Sequence, residues 1–420
     1  MNGDTNTSDQ SEQLARVNRV FTPHTPVETP QFFAGRKSEL HRIQDTLVET
    51  GCHVILYGNR GVGKTSLANI IGSVNSAEDS PIQCSKVSCY HNEKFHQLWL
   101  NAFKHIYVNT EIPNKRSIGF PIDPNFDDNS LSSYSSIPLS QLIGNKELEP
   151  SDVLDILQAL DRQKNLCLFI FDEFDRVDDA KVKDNFTFLL KSLSDNSTTH
   201  TVMLVGIADD IDGLLENHQS LQRCLKQVFL DCLSNSELEE IIDNGLHYLG
   251  LKINDSVKQR IIFFSQGFPQ FTHLLCKYCA KAAINLFKVE IDIDDFNVAV
   301  NQAIDDTFQA ISGAYQKATM NDRGSIYEQV LIASAISDTD AYSTFTSPDV
   351  RNTLTKCGVQ NCKNSYLRYL DALTEKDRGS ILKRVPSSKS PRRFEFRNPL
   401  IRAHLKMKAY QMGYIKQIYF

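Results

Sequence analysis

In "KSELHRIQDTLVET" (37–50) the apolar residues Leu40, Ile43 and Leu47 recur at the spacing that puts them on one helical face. "HVILYG" (53–58) then runs continuously apolar into a glycine turn, which predicts a buried strand. The alternation continues with a strand at "SKVSCY" (85–90) and an amphipathic helix through Phe95, Leu98, Trp99 and Phe103. It resumes with a helix at 151–162, strand "LCLFIF" (166–171), a helix near 180–193, strand "TVMLVGIA" (201–208), a helix near 211–224 and strand "KQVFL" (226–230). Buried strands alternating with helices predict an α/β fold with a doubly wound parallel sheet. Residues 108–150 interrupt it: rich in Ser, Pro, Asn and Asp and without a period, they read as an insertion loop, either disordered or a protein-partner contact.

From 234 onward the period is helical. Ser234 and Glu237 are spaced as a capping box ahead of Leu238, Ile241, Ile242 and Leu249, and further helices are predicted at about 255–265, 268–288 and 292–312. Residues 319–420 read as another unit: helices at 325–337, at 347–354 (Ser347 as cap, Pro348 at the first helical position) and at 364–376. Two short strands follow, "SILKRV" (380–385) and "RRFEFR" (392–397). Three helices and a basic hairpin describe a winged helix. The expected organisation is thus a loose tail over 1–29, an α/β core over 30–232, an all-α lid over 233–318 and a winged-helix domain over 319–420.

A chain of 420 residues fits two or three such domains, and 41% hydrophobic with 23% charged residues excludes collagen-like and disordered classes. Its longest apolar runs are strand-sized, so no membrane partner is expected. The first 30 residues lack the apolar core of a signal peptide, which makes the expected location cytoplasmic. Among ten scattered cysteines the only CxxC is "CKYC" (276–279); lying in an apolar helical pattern, it reads as buried reduced thiols before a metal site. Net charge is −6, but residues 350–420 carry sixteen Lys/Arg against four Asp/Glu, leaving the rest of the chain at −18. That asymmetry marks the C-terminal part as a candidate polyanion-binding module.

"GNRGVGKTS" (58–66) fits GxxxxGK[ST], follows a predicted strand and opens a predicted helix. Gly58, Gly61 and Gly63 let the loop of Asn59, Arg60, Val62 and Ser66 curl its backbone N–H groups around phosphate oxygens, at a helix N-terminus that favours anions. Lys64 is expected to reach the β- and γ-phosphates and the Thr65 hydroxyl to bind Mg²⁺. "FIFDEFDR" (169–176) places Asp172 at a strand end, where it serves the metal, while Glu173 is either the general base for an attacking water or a solvated edge residue.

"FFAGRKSEL" (32–40), "GNRGVGKTS", "FIFDEFDR" and "VGIADDIDGLL" (205–215) together resemble the AAA+ ATPases, in the branch of origin-recognition-like initiators and STAND signalling ATPases. The resemblance covers nearly all of the chain after residue 30 and implies a P-loop ATPase using ATP/ADP and Mg²⁺, slow and stimulated by oligomer or DNA. It implies that Phe33 to Arg36, including Gly35, lie near the base, that Asp209 senses the γ-phosphate, and that Arg223 is an arginine finger completing a neighbour's site. Arg223 also reads as an ordinary surface arginine. In place of the family's GxxR lid pattern stands "SQGFPQFTHLL" (265–275), whose Gly267 and Pro269 look like the GxP nucleotide contact of STAND proteins or a proline opening a helix.

The positive charge of the C-terminal unit, read with its winged-helix pattern, makes it a double-stranded DNA reader, and the resemblance implies a homo-oligomer or other AAA+ assembly. Phe394 and Phe396 alternate toward its core. Lys383, Arg384, Lys389, Arg392, Arg393 and Arg397 suit phosphate contacts, and helix 364–376 with Asn364, Tyr366, Arg368 and Tyr369 suits a major groove. The alternative is a signalling or defence switch whose winged helix is a regulatory domain packed on its own ATPase core.

Overall fold

The computed structural model describes residues 4–75, 82–109, 136–207, 221–319, 326–340, 343–359, 365–385 and 391–415. Two compact units make up the chain, one of residues 25–232 and one of 1–24 together with 233–420. The loose tail expected over 1–29 is instead largely helical, with α1 over Asp4–Val20.

In the unit of 25–232, α2 (Lys37–Leu47) precedes β1 (His53–Gly58), and α3 (Lys64–Asn75) follows the glycine turn. Then come β2 (Ile82–Ser88), α4 (Phe95–Phe103), β3 (Tyr107–Asn109), β4 (Ser136–Pro138), α5 (Leu139–Ile143) and α6 (Pro150–Arg162). The unit ends with β5 (Leu166–Asp172), α7 (Ala180–Asp195), β6 (Thr201–Gly206) and β7 (Leu225–Leu230). Five strands form one parallel sheet in the order β2-β5-β6-β1-β7. Because the chain leaves central β1 for edge strand β2 and then returns, the carboxyl ends around β1 form the crevice where such sheets bind ligands.

The two-residue period of β5 sorts its side chains. Phe169 and Phe171 point to one face, where each ring lies 5.1 Å from the fully buried Trp99 of α4. Phe186 of α7 closes the cluster 4.9 Å from Phe171. Ile170 points the other way, toward Gly72 of α3, and Asp172 shares its parity.

Residues 110–135 of the expected insertion lie outside the described residues, but its last part is ordered. β4 pairs antiparallel with β3, and Ile137, Leu139, Leu142, Ile143 and Leu148 are buried in the main core. A three-residue strand and a five-residue helix are too short for either period to register in the sequence.

The other unit continues with α8 (Asn235–Leu249), β8 (Lys252–Ile253), α9 (Asp255–Ser265), α10 (Pro269–Asn285), β9 (Glu290–Ile291) and α11 (Ile293–Thr319). The Ser234 side chain accepts the Glu237 N–H, forming the expected capping box. α1 belongs here because Val17, Val20 and Phe21 are buried, and the Phe21 ring occupies the place where a Cβ on Gly245 of α8 would lie 2.5 Å away. Cys276 and Cys279 are buried free thiols whose pKa values burial raises. No cluster of three or more metal-ligating side chains occurs among the described residues.

The last elements are α12 (Ile326–Ile336), β10 (Phe345–Thr346), α13 (Ser347–Lys356), α14 (Tyr366–Ala372), β11 (Leu382–Val385), β12 (Arg393–Phe396) and α15 (Pro399–Gln411). Thr346, not the expected Ser347, caps α13 by accepting the Asp349 N–H, and Pro348 falls in the first turn. β10 and α15 were not anticipated. The three strands pair antiparallel in the order β10-β12-β11, and Phe345, Phe394 and Phe396 are buried together. No described helix is long and apolar enough to cross a membrane.

Candidate nucleotide site

The turn between β1 and α3 is built on backbone that side chains resist. At Gly58 a Cβ would stand 2.2 Å from the Leu230 carbonyl oxygen of β7, and Gly61 (φ 86°) and Gly63 (φ 96°) occupy the left-handed region. Lys64 opens the 12-residue α3, and its Nζ donates to the carbonyls of Gly58 and Asn59, each at 2.9 Å. Burial lowers the Lys64 pKa, while the nearby carboxylates of Asp175 and Asp172 oppose that shift. Thr65 is half-buried in the first turn of α3, and Asn59 and Arg60 are exposed.

Two residues expected to touch nucleotide also make contacts to protein groups. Arg36, only 5% exposed and in left-handed backbone (φ 60°) after Gly35 (φ 73°), donates to the Val62 carbonyl at 3.2 Å and to the Asp231 carbonyl. It also pairs with Glu39 at 3.2 Å. Its guanidinium therefore braces the phosphate loop against the chain beyond β7. The Ser66 hydroxyl accepts the Val27 N–H at 3.1 Å and ties α3 to the segment ahead of α2.

At the end of β5 the Asp172 carboxylate is buried; Oδ1 accepts the Glu173 N–H at 2.9 Å and Oδ2 lies 3.0 Å from Lys86 Nζ. Lys86 escaped the sequence reading. The β2–β5 register, Lys86 beside Ile170 and Ser88 beside Asp172, is what brings this lysine alongside, and its ammonium also bonds Asn69 of α3. A lysine in the middle of a predicted strand is the signal that could have found it. Glu173 adopts left-handed backbone (φ 56°), which turns its side chain out of the strand line, and its Oε1 sits 3.1 Å from Arg176 Nη2. Arg176, without a role in the sequence reading, is thus the partner of Glu173.

Arg223 is exposed and ion-paired with Asp195 at the end of α7. Asp209 falls in 208–220 and Lys389 in 386–390, both outside the described residues. Pro269 belongs to the other unit, in the first turn of α10, after Gly267 (φ 78°), whose carbonyl accepts the Leu233 N–H at 2.8 Å. A proline there starts a helix without losing a hydrogen bond.

The basic hairpin is largely paired within its own unit. Lys383 meets its cross-strand partner Glu395 at 2.6 Å, Arg384 and Arg392 both meet Asp371, and Arg393 meets Asp340 and, at 2.9 Å, the Thr344 hydroxyl. Arg397 is exposed.

Residues 33–205 match the family model for the AAA ATPase domain. No curated protein matches the chain in sequence. Among solved structures it is similar to the Walker-type ATPase PABY2304 of Pyrococcus abyssi, with 15% identity over 92% of this chain and 99% of that one and a TM-score of 0.51. It is also similar to the Aeropyrum pernix ORC1 protein in complex with DNA (12% identity, 94% and 97% covered, TM-score 0.46). The Aeropyrum pernix ORC2 protein with ADPNP and ADP follows at 16% identity, 94% and 98% covered and a TM-score of 0.48. At these identities the likeness concerns the fold. Sheet order and glycine turn make this a P-loop AAA+ fold, and residues 33–205 are similar to the AAA ATPase domain.

Proposed function

We propose that the protein binds ATP with Mg²⁺ at residues 58–66, hydrolyses it, and couples nucleotide state to double-stranded DNA contacts through residues 319–420, read as a winged helix. The observation that carries this is the approach of Lys64 to the chain at the end of β5, where the carboxylates of Asp175 and Asp172 act on its ammonium beside Glu173 in sequence. The loop N–H groups and the α3 N-terminus hold phosphates, and Lys64 reaches the β- and γ-phosphates. The residues fit a bound magnesium ion: a hydroxyl at Thr65 and a buried carboxylate at Asp172 whose described cationic partner is one half-exposed lysine. Bound there, the ion would neutralise charge on the transferred phosphoryl group. Glu173 takes the proton of the attacking water. Arg223, exposed and paired with Asp195, suits a finger directed at a neighbouring copy, and Asp209 is assigned as the γ-phosphate sensor.

The DNA reading is supported by the helix-strand-helix-helix-strand-strand order of 326–396 and by the positive excess of 350–420. The second reading, a nucleotide switch with a regulatory C-terminal unit, is favoured by the carboxylate partners already held by Lys383, Arg384, Arg392 and Arg393.

Steady-state ATP hydrolysis across protein concentration, with and without duplex DNA, separates the two. Stimulation by DNA and specific activity that climbs with concentration are expected. Oligomers that form with ATP yet ignore DNA would favour the switch, and no hydrolysis under any of these conditions would remove the enzymatic reading.

A further inference from the structure

Four of the cations that make the C-terminal hairpin look like a phosphate-binding surface have carboxylate partners, and two of them share one. Asp371, on the short helix α14, receives the Arg384 guanidinium of β11 on Oδ1 and the Arg392 guanidinium, just before β12, on Oδ2. Two forks converging on the two oxygens of one anion is the donor arrangement that the two non-bridging oxygens of a phosphodiester would take. The site is also open: Arg384 is 53% exposed, Arg392 50% and Asp371 35%. The other pairs differ. Lys383 and Glu395 face each other across the strands, and Arg393 is braced by Thr344 as well as Asp340.

We infer that Asp371 is an internal counter-anion that occupies a two-arginine phosphate site, so that a backbone phosphate of duplex DNA must displace it to bind Arg384 and Arg392. The inference rests on the DNA reading of the C-terminal unit and adds to it the residue that limits affinity. Because the pairs are solvent-exposed, each is weak enough to be exchanged for a phosphate. With Asp371 present the trio carries one net positive charge; without its carboxylate it carries two, so one more unit of positive charge is offered to the phosphate backbone.

The test is duplex DNA binding by the full-length chain as wild type, Asp371→Asn and Asp377→Asn, across a salt series. Asp377 is an exposed carboxylate of the same unit that pairs with no arginine among the described residues, so its removal makes the same change in net charge away from the fork. Asp371→Asn is expected to tighten binding about threefold to tenfold and to steepen the dependence of log K on log salt by about 0.9. Adding Arg384→Gln and Arg392→Gln to that variant should cancel the gain. An Asp371→Asn affinity equal to wild type, or matched by Asp377→Asn, overturns the counter-anion while leaving DNA binding standing. Failure of every chain to bind duplex, with ATP hydrolysis intact, overturns the DNA reading and this inference together.

Discussion

Glu173→Gln should bind ATP within about threefold of wild type while kcat falls by about 10²- to 10⁴-fold, the usual contribution of a positioned general base. The amide keeps the shape of the carboxylate and one acceptor oxygen but cannot act as a base, and Lys64, Thr65 and Asp172 stay in place. Folding is not at risk. The Glu173–Arg176 pair is 42% and 40% exposed, so losing it costs at most about 1 kcal/mol. The left-handed backbone at Glu173 (φ 56°) is no more strained by glutamine. Equilibrium binding of ATP together with a steady-state rate checks both halves. A variant that keeps more than a tenth of wild-type kcat would return Glu173 to an edge residue, and one that loses ATP affinity as well would make it a binding group.

A second large effect is expected on acidification. His53, His273 and His404 are buried, and burial pushes each pKa down to about 4, with Lys408 adding to the effect at His404. The ring of His53 accepts the Val202 N–H at 3.2 Å and that of His273 accepts the Thr22 N–H at 3.3 Å, roles open only to the neutral ring. The unfolded chain takes up these protons near pH 6.5, while the folded chain resists until about pH 4. Stability is therefore fully present above pH 6.5 and declines as pH falls toward 4, by about 1.4 kcal/mol per pH unit for each histidine.

His273 and His404 lie in one unit, so by pH 4.5 that unit should lose about 5 kcal/mol, a loss on the scale of a whole domain's stability. Lys406 of the same unit, its pKa lowered by burial to about 6, adds a decline that begins well above neutrality. Urea unfolding followed by circular dichroism at pH 8, 7 and 4.5 should show the midpoint falling throughout. Equal midpoints at pH 7 and 4.5 would mean that these rings are not held neutral.

The sequence foretold the parts whose chemistry is local. A glycine turn with Lys64, the strand carrying Phe169, Phe171 and Asp172, and the capping box at Ser234 all announce themselves within a few residues. What escaped depends on partners far along the chain. The polar α1 and the residue after it offer little more than Val17, Val20 and Phe21 to burial, and Gly245 of α8, more than two hundred residues later, makes room for Val20 and Phe21. Lys86 meets Asp172 through strand register, and Arg36 finds the Val62 and Asp231 carbonyls through the fold.

Charge was the least faithful guide. The excess of Lys and Arg in 350–420 includes Lys406, buried with its Nζ on Gln266 at 2.7 Å, and Arg402, donating to the Ala335 carbonyl at 3.0 Å. Together with the two arginines on Asp371, these show that a count of cations is an upper bound on the charge offered to DNA.

The central claim is that Lys64 and the glycine turn hold the phosphates of ATP. Isothermal titration of ATP into the wild-type chain and into Lys64→Ala, both with Mg²⁺, measures it most directly. Saturable binding by wild type and about tenfold to a hundredfold weaker binding by the variant is expected, since a charge-assisted contact to phosphate, worth about 1.5–3 kcal/mol, is removed from a partly buried site. Equal affinities in the two chains would contradict the account.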